Sequence, residues 1–262
     1  MRIGVTGSTS VIGQRLVAKL SELGHTPVPF GGSQSDIWQI GEKCPSELDL
    51  DVLVHLAHDR SLTVEDNITA TDILCKTFEG RKVFLSSFSA HSKSISKYGK
   101  SKFAMENIFN KTNGCSLRAG VVYGDKVEGI FAQIEFLIRK LPLIPLPYRG
   151  SSMLFTTHVD DLISEILFLL NQSEGVTTFA ANPMPTSLHN LSFQIQKNLG
   201  MKRPTIRLPR QPIDSLLRTL VRFLPNFPMA DSLLSLSREA SYEEISKLRI
   251  PNTSFREFKF ND

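Results

Sequence analysis

The 262-residue sequence predicts an α/β fold, in which a doubly wound parallel sheet carries helices on both faces and a small, mostly helical C-terminal lobe follows. Two observations predict this fold. From residue 1 to about residue 125, short apolar runs alternate with stretches of helical periodicity, which is the pattern of right-handed βαβ crossovers. Runs such as DVLVHLA are almost continuously apolar, as expected of parallel strands that are buried on both faces.

Each element of the alternation has its own signal. RIGVTG is a short strand that ends in glycine, and VIGQRLVAKLSELG has leucines at helical spacing with Gly24 as its stop. TPVPF is a second strand, best placed at a sheet edge because prolines cannot donate to a neighbouring strand. DVLVHLA is followed by the helix DNITATDILCKTF, KVFLSS is followed by the helix KYGKSKFAMENIFNK, and CSLRAGVVYG contains a further strand.

The pattern changes after residue 125. EGIFAQIEFLIRKL predicts a helix, PLIPLPYRG predicts irregular structure because it is rich in proline, and THVDDLISEILFLLNQ predicts a long amphipathic helix that returns to the main domain. From TTFAANPMP onward, the sequence indicates several short helices and no βαβ rhythm. We therefore expect a main domain over residues 1–182 and a small C-terminal lobe over residues 183–262, to which residues 125–155 also contribute.

Composition argues against several classes of protein. Hydrophobic residues make up 41% of the chain and charged residues 21%, which supplies an ordinary globular core. The net charge of +4 is mild and no dense run of Lys and Arg occurs, so no nucleic-acid partner is expected. The three cysteines are odd in number and widely spaced, which suits a reducing compartment and predicts no metal site. We also expect no signal peptide, no membrane span and a cytoplasmic location.

The first strand-to-helix turn, TGSTSVIG, has the glycines of a phosphate-binding turn. Gly7 can adopt a backbone conformation that other residues avoid, and Gly13 lets the helix approach the strand closely. The free N–H groups at the start of the helix suit a pyrophosphate, and the serine and threonine hydroxyls of the turn add donors. The turn predicts a Rossmann-type domain that binds NAD or NADP; the alternative is an ordinary βα turn.

The residues after the second strand bear on the choice of cofactor. The dinucleotide fingerprint expects an acid there to hold the adenosine ribose hydroxyls, and Gly31 stands in its place, followed by Gly32 and Ser33. Without a carboxylate at this position, a ribose 2′-phosphate meets no negative charge. The sequence therefore favours NADP slightly. No arginine stands beside these residues and Asp36 can still serve NAD, so both cofactors stay open.

Tyr98 and Lys102 lie one turn apart on the same face of the helix predicted after KVFLSS. An ammonium group in that position favours the phenolate and lowers the pKa of a tyrosine from about 10, which makes it usable as an acid or base near neutral pH. A serine at the end of the preceding strand can hydrogen-bond to the same substrate oxygen. The three residue types together predict acid–base chemistry at this edge of the sheet.

Several motifs in the same order resemble the short-chain dehydrogenase/reductase superfamily, of the extended NAD-dependent epimerase/dehydratase type, over about residues 1–182. They are TGSTSVIG with Ser10 in place of the middle glycine, DVLVHLAH, Asn67 in EDNITAT, FLSSFSA, YGKSK, LRAGVVYG with Ala119 in place of proline, and HVDD. The resemblance implies that Tyr98 exchanges a proton with the substrate, Ser87 hydrogen-bonds to the same oxygen, and Lys102 holds the nicotinamide ribose.

The resemblance and the turn together define the expected site. The residues expected to bind the cofactor are Gly7, Ser8, Thr9, Ser10, Val11, Ile12, Gly13, Gly31, Gly32, Ser33, Leu56, Ala57, His58, Asn67, Ser86, Ala119, Gly120 and Val121. The residues expected to contact the substrate are Phe88, Ser89, His91, Val122 and Arg149, the last as a contact to phosphate.

Three functions remain open from the sequence. The motifs favour a nucleotide-sugar epimerase, dehydratase or reductase, which would take a nucleotide sugar as its small-molecule substrate. A reductase of a small carbonyl or apolar substrate is favoured by the absence of the family's substrate-binding asparagine and arginine and by the apolar residues Phe88 and Phe155. The short gap between Ser87 and Tyr98 argues against the family's usual sugar substrate. A non-catalytic dinucleotide-binding regulator is the third, disfavoured by the presence of all three catalytic residue types. The apolar helix that carries Tyr98 also suits a homodimer contact.

Overall fold

The computed structural model describes residues 1–30, 38, 40, 49–124, 129–172, 175–223, 228–235, 251 and 254–258. Its strands are β1 (Arg2–Thr6), β2 (Thr26–Phe30), β3 (Val52–His55), β4 (Arg81–Ser87), β5 (Cys115–Ala119), β6 (Val121–Tyr123), β7 (Ile144–Leu146), β8 (Met153–Leu154), β9 (Thr156–His158), β10 (Thr177–Ala180), β11 (Thr186–Ser187) and β12 (Thr205–Arg207). Its α-helices are α1 (Val11–Glu22), α2 (Val64–Thr77), α3 (Lys97–Lys111), α4 (Gly129–Lys140), α5 (Val159–Leu169), α6 (Leu188–Asn198), α7 (Arg210–Phe223) and α8 (Pro228–Ser235).

Six parallel strands form the central sheet in the order β10-β5-β4-β3-β1-β2. The chain crosses from β1 to β2 on one side and then returns to place β3 on the other side of β1, which is the doubly wound arrangement. The proline-containing strand β2 is the outermost strand of this sheet, as its sequence predicts. The predicted α/β fold class is therefore confirmed.

Alternate side chains of the strands pack against helices on opposite faces. Val52 and Val54 of β3 share a core with Leu16 and Leu20 of α1 and with the apolar face of α5. Leu53 of the same strand points the other way and packs against α2. Since both faces are covered by helices, the strands can be apolar throughout, which explains the unbroken apolar runs in the sequence.

Two expectations about the second half of the chain are wrong. The sequence from TTFA onward was expected to show no βαβ rhythm, and TTFA forms β10, the sixth strand of the central sheet, beside β5. The proline-rich run PLIPLPYRG was expected to be irregular, and it contains β7, which pairs in parallel with β12. Both strands are short and owe their pairing to distant partners, so neither has a strong local signal.

A second core lies beside the sheet. Residues of α4, β7, β8 and α6 form one apolar cluster, which includes Tyr123, Phe131 and Phe258. Helices α7 and α8 pack against each other, with Leu217 and Leu234 between them. The division of the chain into units at residue 182 stays a prediction.

The thiols and helices of the described residues add two facts. Cys75 and Cys115 are buried free thiols, and Cys44 lies outside the described residues. Within the described ranges, no helix combines the length and the apolar character that crossing a bilayer requires.

Candidate active site

A cavity of about 530 Å³ opens near the carboxyl ends of the central strands. Its wall at one end is the first turn of α1, and at the other end it contains Ser87 and Tyr98. Residues that follow β5, together with parts of α4 and α8, complete the wall. The cavity lies beside the point where the strand order reverses, which is the usual position of ligands in open α/β sheets.

The glycine turn at the α1 end is shaped by close contacts. Gly7 has a φ of +67°, and a Cβ there would lie 2.9 Å from the backbone nitrogen of Ala57. A Cβ on Gly13 would collide with the Gly7 carbonyl oxygen. Leu56 and Ala57 therefore back the turn, and their amides donate to Thr6 Oγ1 at 3.1 and 3.2 Å. The geometry explains why glycine stands at both positions.

Ser10, which replaces the family's middle glycine, supports the turn and does not line the cavity. It is the N-cap of α1: its Oγ accepts from the Gly13 amide at 3.0 Å and donates to the Gly7 carbonyl at 2.8 Å. Val11 and Ile12, the next two residues, line the cavity, and amides in the first turn of a helix have no acceptor within the helix. Ser8 and Thr9 complete the turn without lining the cavity.

Ser87 and Tyr98 meet at the other end. Ser87 ends β4, Tyr98 is the second residue of α3, and the serine hydroxyl is close enough to the phenol to act on its pKa. Ser87 Oγ is also 2.8 Å from Ser89 Oγ, and all three side chains border the cavity. Burial raises the pKa of Tyr98, while the charge of Arg60 and the Ser87 hydroxyl act in the opposite direction. The phenol is therefore protonated at neutral pH in this state.

Lys102 lies on the same face of α3, as predicted, but its ammonium is not bonded to the phenol. Nζ donates to the Leu85 carbonyl at 2.8 Å and lies 5.9 Å from the ring centroid of Tyr98. The side chain is buried beneath the cavity, 4.7 Å from the centroid of Phe84. Burial, and then the charge of Arg60, lower the pKa of Lys102 to about 7.

Arg60 is a site residue that sequence reasoning missed. Its guanidinium lies 4.9 Å from the ring centroid of Tyr98, and its side chain lines the cavity. Nη1 donates to Ser232 Oγ of α8 at 2.9 Å. One signal was available: Arg60 follows β3, and residues just past the carboxyl ends of parallel strands lie at the ligand-binding edge.

His58 packs edge-to-face against Tyr98, with ring centroids 5.0 Å apart, and its Nε2 is 3.2 Å from Ser101 Oγ. Burial, followed by the charges of Lys102 and Arg60, lowers the pKa of His58 to about 2. The imidazole is therefore neutral and supports the tyrosine ring from beneath the cavity.

Two residues expected to bind the cofactor have their polar atoms engaged elsewhere. The side-chain oxygen of Asn67 accepts from the backbone amide of Asp59 at 2.9 Å, and its side-chain nitrogen donates to the backbone carbonyls of Asp59 and Thr63. Asn67 therefore stabilises the loop that carries Arg60. Ser86 donates to Glu106 at 2.7 Å, and Glu106 also forms a buried ion pair with Arg118 at 2.6 Å. Neither lines the cavity.

The remaining predicted residues divide into three groups. Ala119, Gly120, Val121, Val122 and Phe88 line the cavity. His91 is buried in the loop before α3 and Arg149 is exposed in a 3-10 turn, and neither lines the cavity. Gly31, Gly32 and Ser33, which bear on the choice between NAD and NADP, lie outside the described residues. Among the described side chains, no group of His, Cys, Asp and Glu is arranged to hold a metal ion.

Comparison with known proteins finds similarity in structure only. No family model matches the sequence, and no curated protein matches it. A UDP-glucose 4-epimerase from Thermotoga maritima, solved with UDP-glucose, superposes with a TM-score of 0.64 at 17% identity, over 80% of this chain and 87% of that chain. RMD from Pseudomonas aeruginosa, complexed with NADPH, superposes with a TM-score of 0.62 at 18% identity, over 80% of this chain and 86% of that chain. A short-chain dehydrogenase/reductase superfamily protein from Agrobacterium tumefaciens, with bound NAD, gives 0.62 at 17% identity, over 80% and 86%.

These matches cover 80% of this chain and 86–87% of the other chains, so they concern most of the architecture of this protein. The chain has the fold of nucleotide-sugar epimerases and other short-chain dehydrogenase/reductase proteins. The fold that the sequence motifs imply is thereby confirmed.

Proposed function

We propose that the protein is an NAD(P)-dependent enzyme of the short-chain dehydrogenase/reductase type, in which Tyr98 and Ser87 act on a substrate oxygen. The observation that carries this proposal is that Ser87 and Tyr98 line one cavity together with the first turn of α1. A dinucleotide is long enough to need both ends of such a cavity, with its phosphates at the helix start and its reactive ring near the tyrosine.

The residues at the α1 end fit a dinucleotide. The backbone approaches closely at Gly7 and Gly13, and the amides of Val11 and Ile12 offer donors for a pyrophosphate. Ser10 does not obstruct this site because its hydroxyl is turned into the loop. NAD and NADP both remain candidates, and bound structures of each occur among the similar folds. The nicotinamide supplies or accepts the hydride when it is bound.

The chain's own residues handle the proton. Tyr98 Oη exchanges a proton with the hydroxyl or carbonyl oxygen of the substrate, and Ser87 Oγ hydrogen-bonds to that oxygen. Ser89 Oγ, 2.8 Å from Ser87 Oγ, fixes the serine hydroxyl. Lys102 lies beneath the tyrosine ring and is the residue that the resemblance assigns to the nicotinamide ribose.

The substrate proposed first is a nucleotide sugar, since a fold of this kind binds UDP-glucose in the Thermotoga maritima epimerase. A second candidate, a reductase of a small carbonyl or apolar substrate, is favoured by one observation. Arg149, the residue proposed to contact a substrate phosphate, lies outside the cavity, and the cavity wall contains the apolar side chains of Phe88 and Ile130.

The experiment is a comparison of wild type with Tyr98→Phe. NAD(H) and NADP(H) binding is measured by fluorescence titration, and turnover is measured with UDP-, GDP- and dTDP-sugars and with simple carbonyl compounds. Tyr98→Phe should bind the dinucleotide nearly as well as wild type and lose about 10²–10⁴-fold in turnover, the usual contribution of a general acid–base group.

Tyr148→Phe serves as the matched control, because Tyr148 is buried outside the cavity and its hydroxyl donates to Asp214 at 2.9 Å. It should keep wild-type turnover. Undiminished turnover in Tyr98→Phe would refute the role of the tyrosine, and a protein that binds neither dinucleotide would refute the proposed function as a whole.

A further inference from the structure

Helix α8, far along the chain from Tyr98, is attached at two points to residues at or beside this tyrosine. The carboxylate of Asp231 accepts from the amides of Lys97 and Tyr98 at 2.7 and 3.0 Å, at the start of α3. The next residue, Ser232, accepts from Arg60 at 2.9 Å. Two successive residues of α8 thus contact the backbone of Tyr98 and the arginine that covers its ring.

We propose that Arg60, held by Ser232 of α8, is a positioning residue that supplies the positive charge facing the ring of Tyr98. Its guanidinium lies 4.9 Å from the ring centroid, within the range in which a cation is attracted to an aromatic face. A positive charge at this distance stabilises the phenolate more than the phenol. The proposal deepens the proposed function, because it rests on Tyr98 as the residue that exchanges the proton.

Two hydrogen bonds fix the serine that holds Arg60. Ser232 Oγ accepts one hydrogen bond from Arg60 Nη1 at 2.9 Å and another from the side-chain nitrogen of Gln133, in α4, at 3.2 Å. Asp231, one residue earlier, anchors the same turn of α8 to α3. Arg60 has no ion pair with a carboxylate among the described residues, so its charge is directed at the cavity and at Tyr98.

The other charged and titratable groups around Tyr98 do not take this role. Lys102 donates to the Leu85 carbonyl, and its pKa is lowered to about 7, so it carries only part of a charge at neutral pH. His58 is neutral. Asp231 is negative but is bound to backbone amides. Arg60 is the first cause that lowers the pKa of Tyr98 against the effect of burial.

The test measures ionisation of Tyr98 in the ligand-free protein. The four tyrosines are replaced by 3-fluorotyrosine, whose phenol ionises at lower pH than that of tyrosine, and fluorine NMR spectra are recorded across a pH titration. Tyr98→Phe identifies the relevant resonance by its loss. Arg60→Gln should reduce the ionisation constant of residue 98 about tenfold, which is one pKa unit. Arg60→Lys keeps the positive charge, so its ionisation constant for residue 98 should be close to the wild-type value. Ser232→Ala should reduce this constant by a smaller factor than Arg60→Gln does.

Arg15→Gln is the matched control. Arg15 also lines the cavity, but it lies at the α1 end and pairs with Asp160 at 2.7 Å, so its loss should leave the resonance of residue 98 at its wild-type midpoint. The resonances of Tyr123 and Tyr148 report folding of each variant. Because Arg60 is exposed, added salt should reduce the difference between the titration midpoints of residue 98 in wild type and in Arg60→Gln.

An unchanged midpoint in Arg60→Gln would overturn the proposal, as would a shift of equal size in Arg15→Gln. An unchanged midpoint in Ser232→Ala would overturn the role of α8. The measurement needs neither substrate nor dinucleotide, so its failure is distinguishable from failure of the proposed function, which is tested by binding and turnover.

Discussion

Lys102 shows how burial changes the chemistry of a residue whose position the sequence predicts well. In the unfolded chain a lysine has a pKa near 10.5, and burial in the folded protein lowers it to about 7. Between these two values the folded state binds fewer protons than the unfolded state. Stability from this group is therefore lowest below pH 7 and increases as pH rises toward 10.5.

The prediction is that Lys102→Met removes this pH dependence. Between pH 7 and pH 9, the free energy of unfolding of wild type should rise by about 2 kcal/mol relative to that of the variant. Burial raises the pKa of the Cys75 thiol to about 11, which gives the opposite pH dependence, but Cys75 is present in both proteins and its effect cancels in this comparison. Urea denaturation at several pH values measures the difference.

Lys100→Met is the control, because Lys100 is exposed on the same helix and should keep the wild-type pH dependence. Parallel pH profiles for wild type and Lys102→Met would show that Lys102 keeps its charge in the folded protein, which would contradict the prediction.

Local sequence was sufficient to predict some site residues and insufficient for others. Gly7 and Gly13 are required by a turn only a few residues long, and Ser87 and Tyr98 lie at the ends of neighbouring elements. Arg60 depends on a contact with Ser232, which is 172 residues away in the chain. A contact at that separation has no local pattern, and it emerges only when α8 packs on α3.

At the scale of elements, the start of α3 is capped twice. Ser96 accepts from the Gly99 amide at 3.0 Å, as an ordinary N-cap does. Asp231 accepts from the amides of Lys97 and Tyr98, and its negative charge complements the positive end of the dipole of α3. The sequence predicts the helix and the first cap is local to it, while the second cap comes from another element.

Asp231→Asn tests whether this cap holds α8 in place. The variant should lose about 1 kcal/mol of stability, the typical value of a helix cap, and backbone amides of α8 should exchange with deuterium faster than in wild type. Hydrogen exchange by mass spectrometry, with equilibrium unfolding, measures both effects.

The control for this experiment is Asp72→Asn, which removes an exposed ion pair with Lys76 on α2 and should cost at most a few tenths of a kcal/mol. Unchanged exchange across α8 in Asp231→Asn would mean that apolar packing alone holds the helix, against this expectation.

Strands were harder to predict than helices in this chain. Each helix with a long apolar period has the type expected from its sequence, since its hydrogen bonds are all local. The strands β7 and β10 depend on β12 and β5, which lie about 60 residues away along the chain. A four-residue run such as TTFA is compatible with strand or coil until that partner is known.

At the scale of the whole molecule, residues 254–258 join the two apolar cores. Phe255 belongs to the core of the central sheet, and Phe258 belongs to the second core, where its ring centroid is 4.9 Å from that of Tyr123. Between them, Arg256 binds the carboxylate of Asp161 at 2.7 Å and its amide donates to the same group at 2.9 Å. The motif HVDD thus serves to anchor a distant part of the chain.

Phe258→Ala should therefore destabilise the protein by about 3 kcal/mol, because it opens a cavity in a core that α4 and the cavity-lining Tyr123 share. Phe193→Ala is the matched control: Phe193 lies on α6 and is 59% exposed, so the same deletion should cost less than about 1 kcal/mol. Urea denaturation of the two variants and wild type gives both values.

Two spectroscopic probes test whether the segment joins the two cores. The first is far-UV circular dichroism, and the second is the fluorescence of Trp38, which packs beside β2. If the segment joins the cores, Phe258→Ala should shift the unfolding midpoint equally for both probes. Separate midpoints for the two probes would show that the cores unfold independently and that residues 254–258 do not couple them.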